Sequence, residues 1–317
     1  MDEEQINPGP STQSKKEETS KFYTKTFSKD VLNYMVFPLV IILTSATVYF
    51  VNIPAILANT TLIQSISPQN NVETNLALFK KVFAYNSFGS GEAVEQLTQI
   101  TVKLYSPQVQ VSDTIKQEFY NFAKTKIEEK VASSPTDARY LVFAGNFFNQ
   151  FGQYDEAIKY LERALIESPK KQSIYFELGS SYLGKGNKQK MFELFKKAYE
   201  LKTTVLESQI IYTVGAIYVK NSEVLKEMTT LLPKDVIISD ARVLKAYSDI
   251  GDYNSVITIL NTRLEKNPGS LQDKLILAEV YWKLGQNQKA VDLIREIIVQ
   301  EPTFKDQGEA YIKQIQG

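Results

Sequence analysis

Three cations and one tryptophan are the side chains in this sequence with the most specific binding chemistry to offer. Arg242, Lys245 and Lys283 occupy non-core positions on recurring helical segments, where they would meet an acidic peptide, a carboxylate or a phosphate. Trp282, the only tryptophan, presents a flat face for stacking on a peptide or a sugar ring. Arg139, Asn146, Asn149 and Tyr212 fall at equivalent places and complete the expected partner-binding face, with Phe143, Gln150, Ser180, Lys220 and Glu279 among them. All of this is recognition chemistry. The 317 residues include no Cys and no His, which excludes disulfides, thiolate and imidazole metal sites, and Ser-His-Asp or Cys-His catalysis. No clustered carboxylate signature takes their place, so no catalytic, cofactor or metal residue is assigned and the chain is read as non-enzymatic.

What must position these residues is a period. Gly145 and Gly179, Gly152 and Gly186, Ala164 and Ala198, Gly251 and Gly285, and Pro268 and Pro302 all share one spacing, a period of 34. A repeat of this length is one helical hairpin that cannot bury its apolar face alone, so copies stack into a solenoid. The first copy carries Leu141, Ala144-Gly145, Phe148, Gly152, Ala157, Leu161, Ala164 and Pro169. The second places Tyr175, Leu178-Gly179, Tyr182, Gly186, Met191, Phe195 and Ala198 in the same register. Small residues let helices approach and aromatic ones fill the gaps between them. The pattern resembles the tetratricopeptide repeat family, whose resemblance implies an α-α superhelix with its first helices along a concave binding face. Some members hold a carboxylate with a Lys and Asn clamp; Asn146 suits that clamp, but Val142 stands where it would need Lys.

Five such repeats are expected over residues 138–304, followed by a capping helix at 305–317. The third copy is weaker. Ile211, Val214-Gly215 and Tyr218 fit, but its second helix looks short, and the interval from Gly186 to Gly251 falls three short of two full periods. Residues 54–137 read as three membrane-proximal helices outside the repeat register, an irregular cap or degenerate repeats. Within them, residues 54–66 are either a short helix on the membrane surface or a loop packed on the first soluble helix.

The other decisive segment lies near the N-terminus. Residues 1–29 are polar and charged, and are read as a disordered tail. Residues 30–53 are read as a transmembrane helix, since Val31 to Val51 would span about 31 Å as a helix and no charge occurs between Asp30 and Glu73. The small-x-small site of a cleaved signal peptide is missing, because Ile56 precedes Ala58, so the span is read as an uncleaved anchor. Lys15, Lys16, Lys21, Lys25 and Lys29 precede it, and the next basic residue is Lys80. That asymmetry puts the N-terminus in the cytoplasm and the repeats outside the cell membrane. Beyond residue 53 acids and bases are nearly balanced and no basic stripe appears, so nucleic acid is not an expected partner.

The strings VYFVNIPAILANTTLIQSIS and LFKKVFAYNSFGSGEAVEQLTQ resemble the region after the final membrane helix of bacterial O-antigen ligase or polymerase-like proteins. That resemblance implies a role in surface-polysaccharide assembly, with a multi-span glycan ligase as a partner. The family's chemistry belongs to several spans and this sequence shows one, so no catalytic position carries over and the chain would be the tail module without its enzyme. The expected function is a membrane-anchored scaffold binding a protein or peptide in its concave groove, in cell-envelope assembly. The alternative is an auxiliary or detached C-terminal module of a glycan ligase or polymerase.

Overall fold

The computed structural model describes residues 28–87 and 89–317. The predicted tail therefore lies outside the described residues apart from its last two positions. Every regular element among the described residues is helical.

Helix α1, Lys29–Ile66, runs without a break for 38 residues and is long and apolar enough to cross a membrane. Phe37, Leu39, Ile42, Tyr49 and Phe50, all ahead of Pro54, are more than half exposed. A helix apolar on every side and unburied is what a bilayer demands and water does not. Two wide π turns interrupt its regular winding, at Leu32–Val36 and Val48–Asn52. Each lies just before a proline, Pro38 and Pro54. A proline ring collides with the carbonyl four residues earlier and cannot donate to it, and a widened turn relieves both faults. Those carbonyls belong to Tyr34 and Phe50, the central residues of the two wide turns.

The C-terminal part of α1 has a different surface. Ala55, Ala58, Leu62 and Ser65 are buried against α2, Val72–Ala84. Residues 54–66 thus form neither a separate surface helix nor a loop. They continue the apolar part of α1 directly into the helical domain, because Ala55 and Ala58 allow close approach on one face. Helices α3, Ser90–Leu104, and α4, Asp113–Ser133, follow as a hairpin, with Ser112 capping α4 by accepting from the Ile115 amide. Phe79 of α2 meets Phe119 of α4 edge-on at 6.5 Å, both fully buried.

The repeats pair α5, Ala138–Gln150, with α6, Tyr154–Glu167, and α7, Gln172–Gly184, with α8, Lys188–Leu201. The Leu-Gly and Ala-Gly pairs have a steric cause. A methyl group at Gly145 would overlap Leu161, and one at Gly179 would overlap the Phe195 ring. The hairpin turns share another device: Gly152, Gly186, Gly251 and Gly285 all have positive φ, between 68° and 80°.

The third repeat departs from its neighbours. After α9, Leu206–Tyr218, the chain makes a ten-residue helix α10, Ser222–Leu231, and then an extra six-residue helix α11, Lys234–Ser239. Its turn position is Lys220, with φ 55°, a residue the sequence pattern assigns to the concave face. Lys220 stands one full period after Gly186, while the interval from Lys220 to the next turn at Gly251 is three short of a period. The shortening therefore lies wholly in this second half. Helices α12, Ala241–Asp249, α13, Tyr253–Lys266, α14, Leu271–Lys283, and α15, Asn287–Gln300, resume the pattern. Helix α16, Lys305–Gln316, covers the far end through Ile312 and Ile315.

First helices also pack on one another, α5 on α7 and α9 on α12, which puts them on the inside of the curve. The buried apolar residues fall into successive clusters: one from Ala58 to Ala198, one from Met191 to Val280, and one from Ala278 to Ile315. The changeover from the first to the second happens within α8, which gives Leu194 and Ala198 to one side and Met191, Phe192 and Phe195 to the other. Nearest-neighbour stacking of this kind is how a solenoid distributes its stability.

Candidate functional site: the inner-helix face

Helix α12 carries two of the three predicted cations, and neither is free. Arg242 donates through Nη2 to Glu207 Oε2 at 3.0 Å and to Asp240 Oδ2 at 2.7 Å. The hydrogen bonds from Glu207 and then Asp240 hold its guanidinium still more firmly protonated than usual. Asp240 is also the cap of α12, accepting from the Arg242 amide at 2.8 Å. Lys245 lies 2.7 Å from Asp249, one turn along the same helix. On α14, Lys283 is paired with Glu279 at 2.7 Å. The expected basic groove for an acidic partner is therefore neutralised from within. The sequence spacing already held the clue for two of these pairs, since each is separated by four positions, the distance at which helical side chains meet.

Tyr212 is likewise not on the surface. It is 5% exposed, its ring stacked against Phe192 at 5.4 Å and Tyr199 at 4.9 Å. Helix α9 is buried on nearly every side because α8, α10 and α12 all pack on it, which puts it at the centre of the second core cluster. A tyrosine on the notional outer stripe of such a helix becomes core. Arg139 sits in the first turn of α5, its Nη2 donating to the Tyr140 hydroxyl at 2.9 Å and lying 3.7 Å from Asp137.

Trp282 does line an opening. It borders a pocket of about 330 Å³ walled by Leu275, Ile276, Ala278 and Glu279 of α14, Ile294 of α15, and Tyr311, Gln314 and Ile315 of α16. Trp282 and Tyr311 are 37% and 41% exposed, so two aromatic rings flank a mostly apolar recess. Sequence reasoning misses Tyr311 because α16 reads as a polar lid. The aromatic next to Ile312 and one turn from Ile315 was the available signal.

Asn146 and Asn149 lie one turn apart on α5. Their Oδ1 atoms are shielded from solvent and accept no hydrogen bond within the described residues. Asn149 reaches α7, its Nδ2 donating to the Glu177 carbonyl at 3.4 Å. Glu177, which sequence reasoning does not single out, is half-buried, and desolvation raises its carboxyl above the ordinary range. Its counterparts one period before and one period after are Phe143 and Ile211. An acid between two apolar counterparts was the signal that would have found it.

Comparison with known proteins bears on the repeats. Residues 138–170 and 172–204 match the tetratricopeptide repeat family model. No curated protein sequence matches the chain. Among solved structures, a tetratricopeptide repeat protein from Parabacteroides merdae aligns with a TM-score of 0.50 at 11% identity, covering 76% of this chain and 91% of that one. A thermophilic repeat protein from Thermus thermophilus aligns with a TM-score of 0.36 at 14% identity, over 70% of this chain and 98% of that one. YrrB, described as a repeat protein with an unusual peptide-binding site, aligns with a TM-score of 0.35 at 13% identity, over 56% of this chain and 92% of that one. None of these findings supports the resemblance of residues 35–105 to a glycan-ligase tail, which stands on its sequence strings alone. Residues 138–204 are two tetratricopeptide repeats, set in an all-helical solenoid of the same fold.

Proposed function

We propose that this protein is a membrane-anchored scaffold whose inner-helix face captures a segment of a partner protein. The observation that carries the reading is the recess at Trp282. A solvated polar surface has no use for two half-exposed aromatic rings around an apolar hollow, whereas a binding groove anchors its ligand with such a pocket. The exposed apolar length of α1 supports the anchor, and the lysines before it support a cytoplasmic N-terminus with the repeats outside. A place in cell-envelope assembly follows from that topology and from the sequence resemblance of residues 35–105.

Photo-crosslinking in intact cells tests the capture. A benzophenone amino acid at position 282 should give a discrete adduct, while one at Ile166, 77% exposed on the outer helix α6, should not. Equal labelling from both positions, or none from 282, would remove the groove from the argument. The chain has no cysteine, so one introduced at Glu309 reports topology directly. An impermeant maleimide should label it in intact spheroplasts; protection until lysis would reverse the orientation.

A further inference from the structure

The first-repeat end of the inner face holds acceptors without donors. Asn146 Oδ1 and Asn149 Oδ1 are both shielded from solvent and unpartnered. The bond from Asn149 Nδ2 to the Glu177 carbonyl settles which end of that carboxamide is which. The Glu177 carboxylate, on the adjoining helix, meets no cation and no hydrogen-bond donor among the described residues. Two neutral oxygens shielded from solvent, and one half-buried carboxylate that still reaches it, thus stand on two neighbouring inner helices without a protein donor. Buried acceptors such as the two oxygens weaken a fold, and native proteins rarely tolerate them without a use.

The missing complement is a group rich in N–H and poor in lone pairs. A carboxylate or a phosphate is excluded, because it would bring further acceptors against the three already present. A primary ammonium supplies three donors and no acceptor. It also carries the charge that Glu177 lacks a partner for. We propose that Asn146, Asn149 and Glu177 receive the ammonium group of a lysine-bearing segment lying in the groove. This rests on the capture reading above and reverses the polarity first expected of the face, since its cations are self-neutralised and its open valences are acceptors.

The test uses the full chain in nanodiscs on an array of nonapeptides with randomised flanks and a fixed central residue. Lysine-centred peptides should be retained about tenfold or more over those centred on Nε-acetyl-lysine or glutamate, the range expected of a charge-assisted hydrogen-bonded contact. Lysine-free peptides with free and with acetylated N-termini form a second arm, which shows whether a chain-end amine serves as well as a side chain. Glu177→Gln and Asn146→Leu should abolish the preference while melting at or above the temperature of the unaltered protein. Equal retention of lysine and acetyl-lysine, or a preference that survives both substitutions, overturns the ammonium site and leaves groove capture standing. A lower melting temperature for Asn146→Leu also overturns it, by showing the oxygen to be satisfied inside the fold. Retention of no peptide at all overturns both readings.

Discussion

Lys220 occupies a backbone position that four glycines share, at φ 55° rather than in the ordinary helical range. A side chain there crowds the backbone, and the strain is of order 1 kcal/mol. Lys220→Gly should therefore stabilise the protein by about 0.5–1 kcal/mol in chemical denaturation, and a neutral or negative change would show that the turn carries no such strain. Gly179 is the opposite case, since the Phe195 ring fills the space a methyl would need. Gly179→Ala should destabilise by about 1–3 kcal/mol through overpacking. Glu177 makes stability depend on pH. Burial raises its folded pKa, with no neighbouring charge contributing, so the folded state holds its proton more tightly than the unfolded chain does. Between the two pKa values stability falls as pH rises, and the loss is complete above the raised value. Glu177→Gln should be the more stable protein at neutral pH and lose that advantage in acid; an advantage independent of pH would point away from the carboxylate. Gly179 follows Gly145 by one period and was legible, whereas Lys220 and Glu177 were hard to read because each differs from the residues one period away. A glycine column announces a turn, but only the backbone angle shows that Lys220 bends with it.

At the scale of the element, α1 is two helices in one. Its first half exposes apolar side chains on every face, and its second half buries Ala55, Ala58 and Leu62 on α2. A chain beginning at Ile53 should stay monomeric without detergent and melt close to the full-length protein. One beginning at Val72 uncovers Leu76 and Phe79, and should lose about 2–5 kcal/mol, as large core deletions do, with a melting point lower by roughly 5 °C or more. Equal melting of the two would mean that the second half of α1 is not part of the core. That three helices, α2, α3 and α4, precede the repeats was legible in sequence. The π turns were not, since a proline says that a helix is disturbed but not how. The third repeat shows the same limit. A deficit of three positions located the irregularity, while only packing shows that α11 lies on α12 and α13 and that Phe192 and Tyr199 of α8 cover Tyr212.

For the whole molecule, the array offers three chemically distinct stretches in chain order: free acceptors at Asn146, Asn149 and Glu177, self-paired ions at Arg242 and Lys245, and an apolar recess at Trp282. A ligand matching them carries a cation toward one end and an apolar side chain toward the other. Because Trp282 is the only tryptophan, its emission is a direct reporter: a peptide entering the recess should shift it to shorter wavelength, and Tyr311→Ala should reduce the shift. A shift unaffected by Tyr311→Ala would place the ligand elsewhere. The solenoid itself was visible from one recurring period, whereas the polarity of its face was legible only in part: Lys245–Asp249 and Lys283–Glu279 lie four positions apart, but the Arg242–Glu207 pair depends on which helices the curve brings together.

The unbroken passage of α1 from its apolar half into the helical core gives the protein a compass bearing. A flexible linker would let the groove swing in all directions relative to the apolar half of α1, which we propose as the anchor, but a helix fixes that heading as a shaft fixes a vane. Each residue added after Asn52 would turn everything beyond it by about 100° and lift it by about 1.5 Å. Two added residues would swing the groove by about 200° with a rise of only about 3 Å, while seven would return it to within about 20° despite a rise of about 10 Å. For a partner that also touches the apolar half of α1, crosslinking from position 282 should accordingly fail with two and recover with seven, following heading rather than height.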